Sequence, residues 1–148
     1  MQSSFTIAQV SWQDAQQALS LLRTSVFIHE QGVSAADEWD GKDATASHFL
    51  VSDNHGKAIG CARLLHEPLH FHIGRVAILQ AYRNQGIGRQ LMRAIIALCQ
   101  EQHPSYPIYL HAQTQRISFY QHLNFVSQGE IFMDAGIPHI EMWYKTGE

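Results

Sequence analysis

The chain is poor in cysteine and proline, with two and four respectively among 148 residues. Cys61 and Cys99 stand far apart and form no CxxC pair, which excludes a disulfide scaffold and a thioredoxin-like motif. They read as buried thiols in a reducing compartment. No apolar run approaches the roughly 20 residues of a membrane span. The opening "MQSSFTIAQVSWQD" lacks the basic start and apolar core of a secretory leader. Together these absences predict a cytoplasmic protein with no membrane partner. A net charge of -3, without basic and aromatic residues interleaved, gives no footprint for nucleic acid. Hydrophobic content of 45% against 16% charged predicts a globular chain, a single domain over residues 1–148.

Two further gaps concern charge. From Pro68 to Gln100 there is no Asp or Glu, yet Arg75, Arg83, Arg89 and Arg93 all fall there. The reverse holds from Glu30 to Asp43, where Glu30, Asp37, Glu38, Asp40 and Asp43 face only Lys42. The first region suits an anion. The second suits a cation, and its loop from Asp37 to Asp43 predicts preference for polyamines or lysine-like amines over neutral or acidic ones.

Periodicity supplies the elements. "FTIAQV" alternates and predicts a strand. Ser11, with Asp14 three residues on, caps a helix whose apolar face is Trp12, Ala15, Leu19, Leu22 and Val26. "EQGVSAADEWDGKD" reads as a loop with at most a short helical turn. Strands are expected at Ser47–Asp53, at "AIGCARLL" after the turn "DNHGK", and at Phe71–Leu79. Ile87, Leu91, Ile95 and Leu98 form the stripe of a long helix, which Pro104 and Pro107 end. Ile108–Gln113 is a strand, Arg116–Leu123 a short helix, and "FVSQGEIFMD" and "HIEMWYK" two closing strands. This order predicts a mixed sheet with helices on its faces.

Between strand and long helix lies "AYRNQGIGRQLM". It lacks the spacing and lysine of a P-loop, and the third glycine of GxGxxG. The acid wanted about 20 residues on for a dinucleotide site is also missing, since Glu101 falls near the end of the same helix. Two small residues still let the main chain curl under a phosphate at the positive end of a helix, with Arg83 and Arg89 beside it.

Arg83-Asn84-Gln85-Gly86-Ile87-Gly88 fits [QR]-x-x-G-x-[GA], and "VAILQAYRNQGIGRQLM" resembles the acetyl-CoA signature of the GNAT N-acetyltransferases. "HAQTQRISFYQHLNF" resembles their segment in which a strand leads into a helix carrying Phe-Tyr. "RTSVFIHEQGVSAADEWDGKDATASHFLV" and "GIPHIEMW" are similar to the ElaA-like, or YjcF-like, group of small GNAT proteins. The resemblance implies the α/β (α+β) GNAT fold, a mixed, mostly antiparallel sheet flanked by helices. It implies acetyl-CoA as cosubstrate, no metal, and acetyl transfer to an amine of a small molecule or peptide. A catalytically weak acetyl-CoA sensor with the same fold is the alternative. Many members dimerise, so the resemblance allows a homodimer through the closing strands.

The resemblance also distributes roles. Val76, Ala77 and Ile78 pair with the pantetheine arm; the amides from Arg83 through Asn84, Gln85, Gly86, Ile87 and Gly88 to Arg89 hold the pyrophosphate. Gln113 stands where many relatives have Asn, and Phe119 lines the coenzyme side. Tyr120 matches the tyrosine that protonates the leaving thiolate, and a phenol is neutral near pH 7. For the base or acceptor pocket the candidates are Glu30 and His111, with Asp40, Asp43 and His48 beside them. Ten histidines invite a metal, and His66, His70 and His72 cluster, but no fourth ligand or catalytic acid accompanies them.

Overall fold

The computed structural model describes residues 4–146; the first three residues of the segment read against a leader lie outside the described residues. Strand β1 (Phe5–Val10) is followed by α1 (Trp12–Arg23), capped as expected by Ser11, whose Oγ accepts from the Asp14 amide at 3.1 Å. The helix does not stop at Arg23. It widens into a π-helical continuation, Thr24–Glu30, before α2 (Ala35–Glu38) and a 3₁₀ turn at Asp43–Thr45. Then come β2 (Ser47–Asp53), β3 (Ala58–Glu67) and β4 (His70–Ile78). β3 runs two residues beyond the Leu65 expected from sequence, and the chain reverses at Leu69 with φ 66°. After α3 (Ile87–Gln102) follow β5 (Ile108–Gln113), α4 (Ile117–Gln121), β6 (Phe125–Asp134) and β7 (Ile137–Tyr144).

Among the described residues, seven strands form one sheet in the order β1-β2-β3-β4-β5-β7-β6. Every neighbour pair is antiparallel except β4 and β5. That exception follows from α3, because parallel neighbours need a long crossover rather than a hairpin. The expected mixed, mostly antiparallel sheet flanked by helices is what the chain adopts.

Apolar residues alternate along the strands, so each sheet face carries its own core. α3 lays Ile87, Leu91, Met92 and Ile95 on Leu64, Phe71, Ile73 and Leu110. On the other face α1 and its π-helical turn bring Leu19, Leu22 and Val26 against Cys61 and Ala77. No helix among the described residues is long and apolar enough to cross a membrane.

One irregularity positions everything that follows. Cys61 and Arg63 of β3 pair with Ala77 and Gly74, so β4 carries one extra residue. At this bulge Arg75 takes φ 51°. β4 pairs with β5 only over Phe71–Ile73, and beyond Ile73 and Leu110 the two parallel strands separate. Val76, Ala77 and Ile78 keep β3 on one edge and have no strand on the other.

Candidate active site

The split between β4 and β5 opens a cleft of about 780 Å³. Val76, Ala77 and Ile78 line one wall. Asn84, Gly86, Ile87, Gly88 and Arg89 line the cleft as well, together with Phe119, Tyr120 and Gln113. The structure thus brings together nearly all the residues that sequence reasoning set apart. Gln85 and Glu30 stand outside the wall.

The loop is shaped by backbone conformation. Asn84 and Gly86 both take the left-handed region, at φ 65° and 82°. Gly86 is the N-cap of α3 and supplies no side-chain acceptor, which leaves the first-turn amides free. These amides and the positive end of a 16-residue helix make an anion cradle. Gly88 is small for a different reason: a Cβ there would meet Phe119 Cζ at 3.3 Å. Phe119 therefore packs directly over the loop.

The arginines divide in a way the sequence did not show. Arg83 binds Glu30 through both terminal nitrogens, at 2.6 and 2.7 Å, and donates Nε to the Ile78 carbonyl at 2.8 Å. Its guanidinium is a brace between the π-helical turn, β4 and the loop. This corrects the reading of its side chain as a phosphate ligand, while its backbone stays in the loop. It corrects Glu30 as well. The Arg83 hydrogen bonds, opposed by burial, hold the Glu30 carboxyl below its ordinary value, which weakens it as a base. Arg89 lines the cleft. Arg93 lies a turn further on, against Ile96, Gln100 and His122 in a separate hollow.

Arg75 belongs to another group entirely. Its Nη2 donates to the Glu38 carbonyl at 3.0 Å and to Asp40 Oδ2 at 3.2 Å, which holds the strained bulge. Arg23 binds Glu38 at 2.7 Å and Asp43 at 2.6 Å, and Arg63 grips both oxygens of Asp40 at 2.9 Å. Three arginines thus match three carboxylates, Glu38, Asp40 and Asp43. The expectation that this loop attracts cations is narrowed: Glu38, Asp40 and Asp43 are neutralised from within, which leaves Asp37 at the cleft. Burial opposes the ionised form of Asp40, but Arg63, the Lys42 amide and Arg75 outweigh it and keep the carboxyl well below the usual range. Asp40 and Asp43 are therefore structural anions rather than bases. His48 is also structural: it is buried, bonded through Nε2 to the Asp43 carbonyl at 2.8 Å and packed on Trp12.

Tyr120 sits in the wall of the cleft, in edge contact with Phe119 and Phe125. Its hydroxyl makes no hydrogen bond among the described residues, so it is free for an incoming atom. Burial pushes its pKa up to about 12, with Arg116 acting the other way. Gln113 donates Nε2 to Gln31 Oε1 at 2.8 Å, tying β5 to the end of the π-helical turn.

His111 stands beside the strand split, with Nε2 3.4 Å from Glu141 Oε1. Its neighbour His72 was met in the sequence only as part of a histidine cluster. In the structure that cluster disperses. His66 bonds Ser47 Oγ at 2.7 Å and His70 bonds the Pro68 carbonyl at 3.0 Å. No group of three or more His, Cys, Asp or Glu among the described residues is placed to hold a metal ion. His72 instead stacks on Tyr109 at 4.4 Å and meets His111 edge-on at 5.0 Å. The alternation of "IYLHAQ" carried a signal for part of this, since it places Tyr109 and His111 on the face opposite Ile108, Leu110 and Ala112.

With this geometry in view, the comparisons are decisive. A model of the acetyltransferase (GNAT) domain matches residues 12–146. The chain belongs to the GNAT acetyltransferase family. It is similar to protein ElaA of Escherichia coli K12, 33% identical over 148 residues that take in 90% of this chain and 95% of ElaA. The crystal structure of Escherichia coli ElaA aligns with a TM-score of 0.86 at 32% identity, covering 95% of this chain and 99% of that one. The Bacillus subtilis protein named uncharacterized N-acetyltransferase YjcF is 33% identical over 122 residues, 82% of this chain and 86% of its own. An acyl-CoA N-acyltransferase from Pseudomonas aeruginosa aligns at TM-score 0.82 and 30% identity, over 97% of this chain and 99% of that one. This GNAT protein is an acyltransferase.

Proposed function

We propose that the protein moves an acetyl group from acetyl-CoA to a primary amine of a small molecule or peptide. The amine attacks the thioester directly. One observation carries this reading: the β4–β5 split, the free amides of the Gly86–Gly88 turn and the hydroxyl of Tyr120 share one cleft.

In the proposed assignment, the strandless edge of Val76–Ile78, whose Ile78 carbonyl is already held by Arg83 Nε, receives the pantetheine amides. The turn and α3 N-terminus hold the pyrophosphate, with Arg89 adjacent. Gln113 and Phe119 flank the coenzyme. The nitrogen lone pair forms a bond to the carbonyl carbon, the carbon–sulfur bond breaks, and the sulfur departs with the electron pair. Tyr120 keeps its proton at neutral pH and offers that O–H to the sulfur as charge develops there. His111 is the acceptor-side candidate for the base, in preference to Glu30.

The test is a panel of alkylamines, polyamines and peptides with acetyl-CoA, read by thiol release and by the mass of the product. The reading predicts stoichiometric thiol and an acetylated amine. Tight coenzyme binding with no transfer to any amine would instead establish a sensor.

A further inference from the structure

His72 and His111 mark the point where β4 and β5 part. His72 is one residue before the last β4–β5 pair, Ile73 with Leu110, and His111 is one residue after it. Their rings meet 5.0 Å apart on the same sheet face, and both line the cleft. Each has its own carboxylate. His72 Nδ1 lies 3.4 Å from Glu67 Oε2, and His111 Nε2 lies 3.4 Å from Glu141 Oε1. Each carboxylate is itself held: Tyr109 donates its hydroxyl to Glu67 at 2.6 Å, and Trp143 donates Nε1 to Glu141 at 2.7 Å.

A carboxylate behind one ring nitrogen keeps the hydrogen there and leaves the lone pair on the other. Two imidazoles so arranged leave acceptor nitrogens at the wall of the cleft. A charge on one ring disfavours a charge on the other at this distance. Burial and the neighbouring His111 press the His72 pKa down to about 4, against the pull of Glu67. His72 is therefore neutral at pH 7. The other groups facing the rings are Arg63 on β3, Tyr109 on β5 and Glu141 on β7.

Resting on the amine-acetylation reading above, we propose that His72 and His111 act together as the base that takes one proton from the acceptor's ammonium group. The ammonium loses a proton to the imidazole pair and becomes the nucleophile. The pair then releases that proton to solvent. The second proton, lost from nitrogen after the carbon–nitrogen bond forms, replaces the one Tyr120 gives to sulfur. The balance is one amide, one thiol and one proton released. Glu67 and Glu141 offset the charge while the pair is protonated.

The experiment compares two acceptors of similar size, an alkylamine that is an ammonium at pH 7 and a low-pKa amine that is already neutral. His72→Phe retains the stack on Tyr109, and His111→Asn retains a polar group beside Glu141. Each variant is expected to lose about 100-fold in kcat/KM with the alkylamine, the size of a general-base contribution. With the neutral amine the loss should stay within about threefold. The double variant should fall little below the worse single one, as for groups acting as a unit. Equal losses with both amines, or full alkylamine turnover by the double variant, overturns the proposal. If wild-type protein acetylates neither amine nor any other in the panel, the underlying reading fails instead.

Discussion

At Glu30 and Arg83, two residues that composition marked for chemistry prove to be braces. The carboxylate and guanidinium close on each other across 53 positions of sequence. Glu30→Gln is therefore expected to raise the KM for acetyl-CoA several-fold by loosening the loop. The acid limb of kcat/KM against pH should stay where it is. A limb that vanished in this variant would make Glu30 the base after all. Glu141→Gln should act on the chemistry instead. Without the carboxylate 3.4 Å from His111 to offset the charge of a protonated pair, kcat with an alkylamine should fall several-fold at an unchanged KM for acetyl-CoA, read from initial rates. Gly86 tests the loop itself. At φ 82° an Ala Cβ is strained, so Gly86→Ala should cost about 1 kcal/mol of stability in urea unfolding.

Regular elements were the most legible part of the sequence. The α3 stripe, the Ser11 cap and the alternation of β2 and β5 all follow from residue period, a local property. The Gly86–Gly88 turn was legible because its conformation depends on residues within a few positions. Less visible was whatever depended on distant partners. The helical stripe through Val26 and the loop from Glu30 onward were legible, but the π-helical winding of Thr24–Glu30 was not, because no sequence period marks such a turn. The acid-rich segment looked like a solvated cation lure because Arg23 and Arg63, at separations of 15 to 23 residues, fall outside any local window. The buried network fastens this segment to α1 and β3. Arg23, only 1% exposed, also lies 4.9 Å from the Trp39 ring. Arg23→Met leaves Glu38 and Asp43 without their cation and should cost about 3–5 kcal/mol in denaturant unfolding. Being buried, the network should respond little to added salt.

For the whole molecule, pH sums these local effects. Burial lowers the pKa of His48 and of His72, while arginines overcome burial to lower those of Asp40 and Asp43. Each group binds fewer protons when folded than unfolded, so each contribution is complete above its unfolded pKa and is lost as pH falls. The urea midpoint should be level from pH 8 to 7. It should decline below about 6.5 as the histidines demand protons, and fall steeply below about 4 when the carboxylates do. A midpoint unchanged down to about pH 4.5 would contradict the burial of His48 and His72 as neutral rings, and one unchanged down to about pH 2 would contradict the buried network. The central claim is that one cleft joins a coenzyme cradle to a proton donor for the departing thiolate. Acetyl transfer by wild type and Tyr120→Phe, side by side with saturating acetyl-CoA and amine, tests it most directly. The account predicts one thiol per acetylated amine for wild type, and a kcat about 100-fold lower for the variant with coenzyme binding within a few-fold. Full turnover by Tyr120→Phe would contradict it.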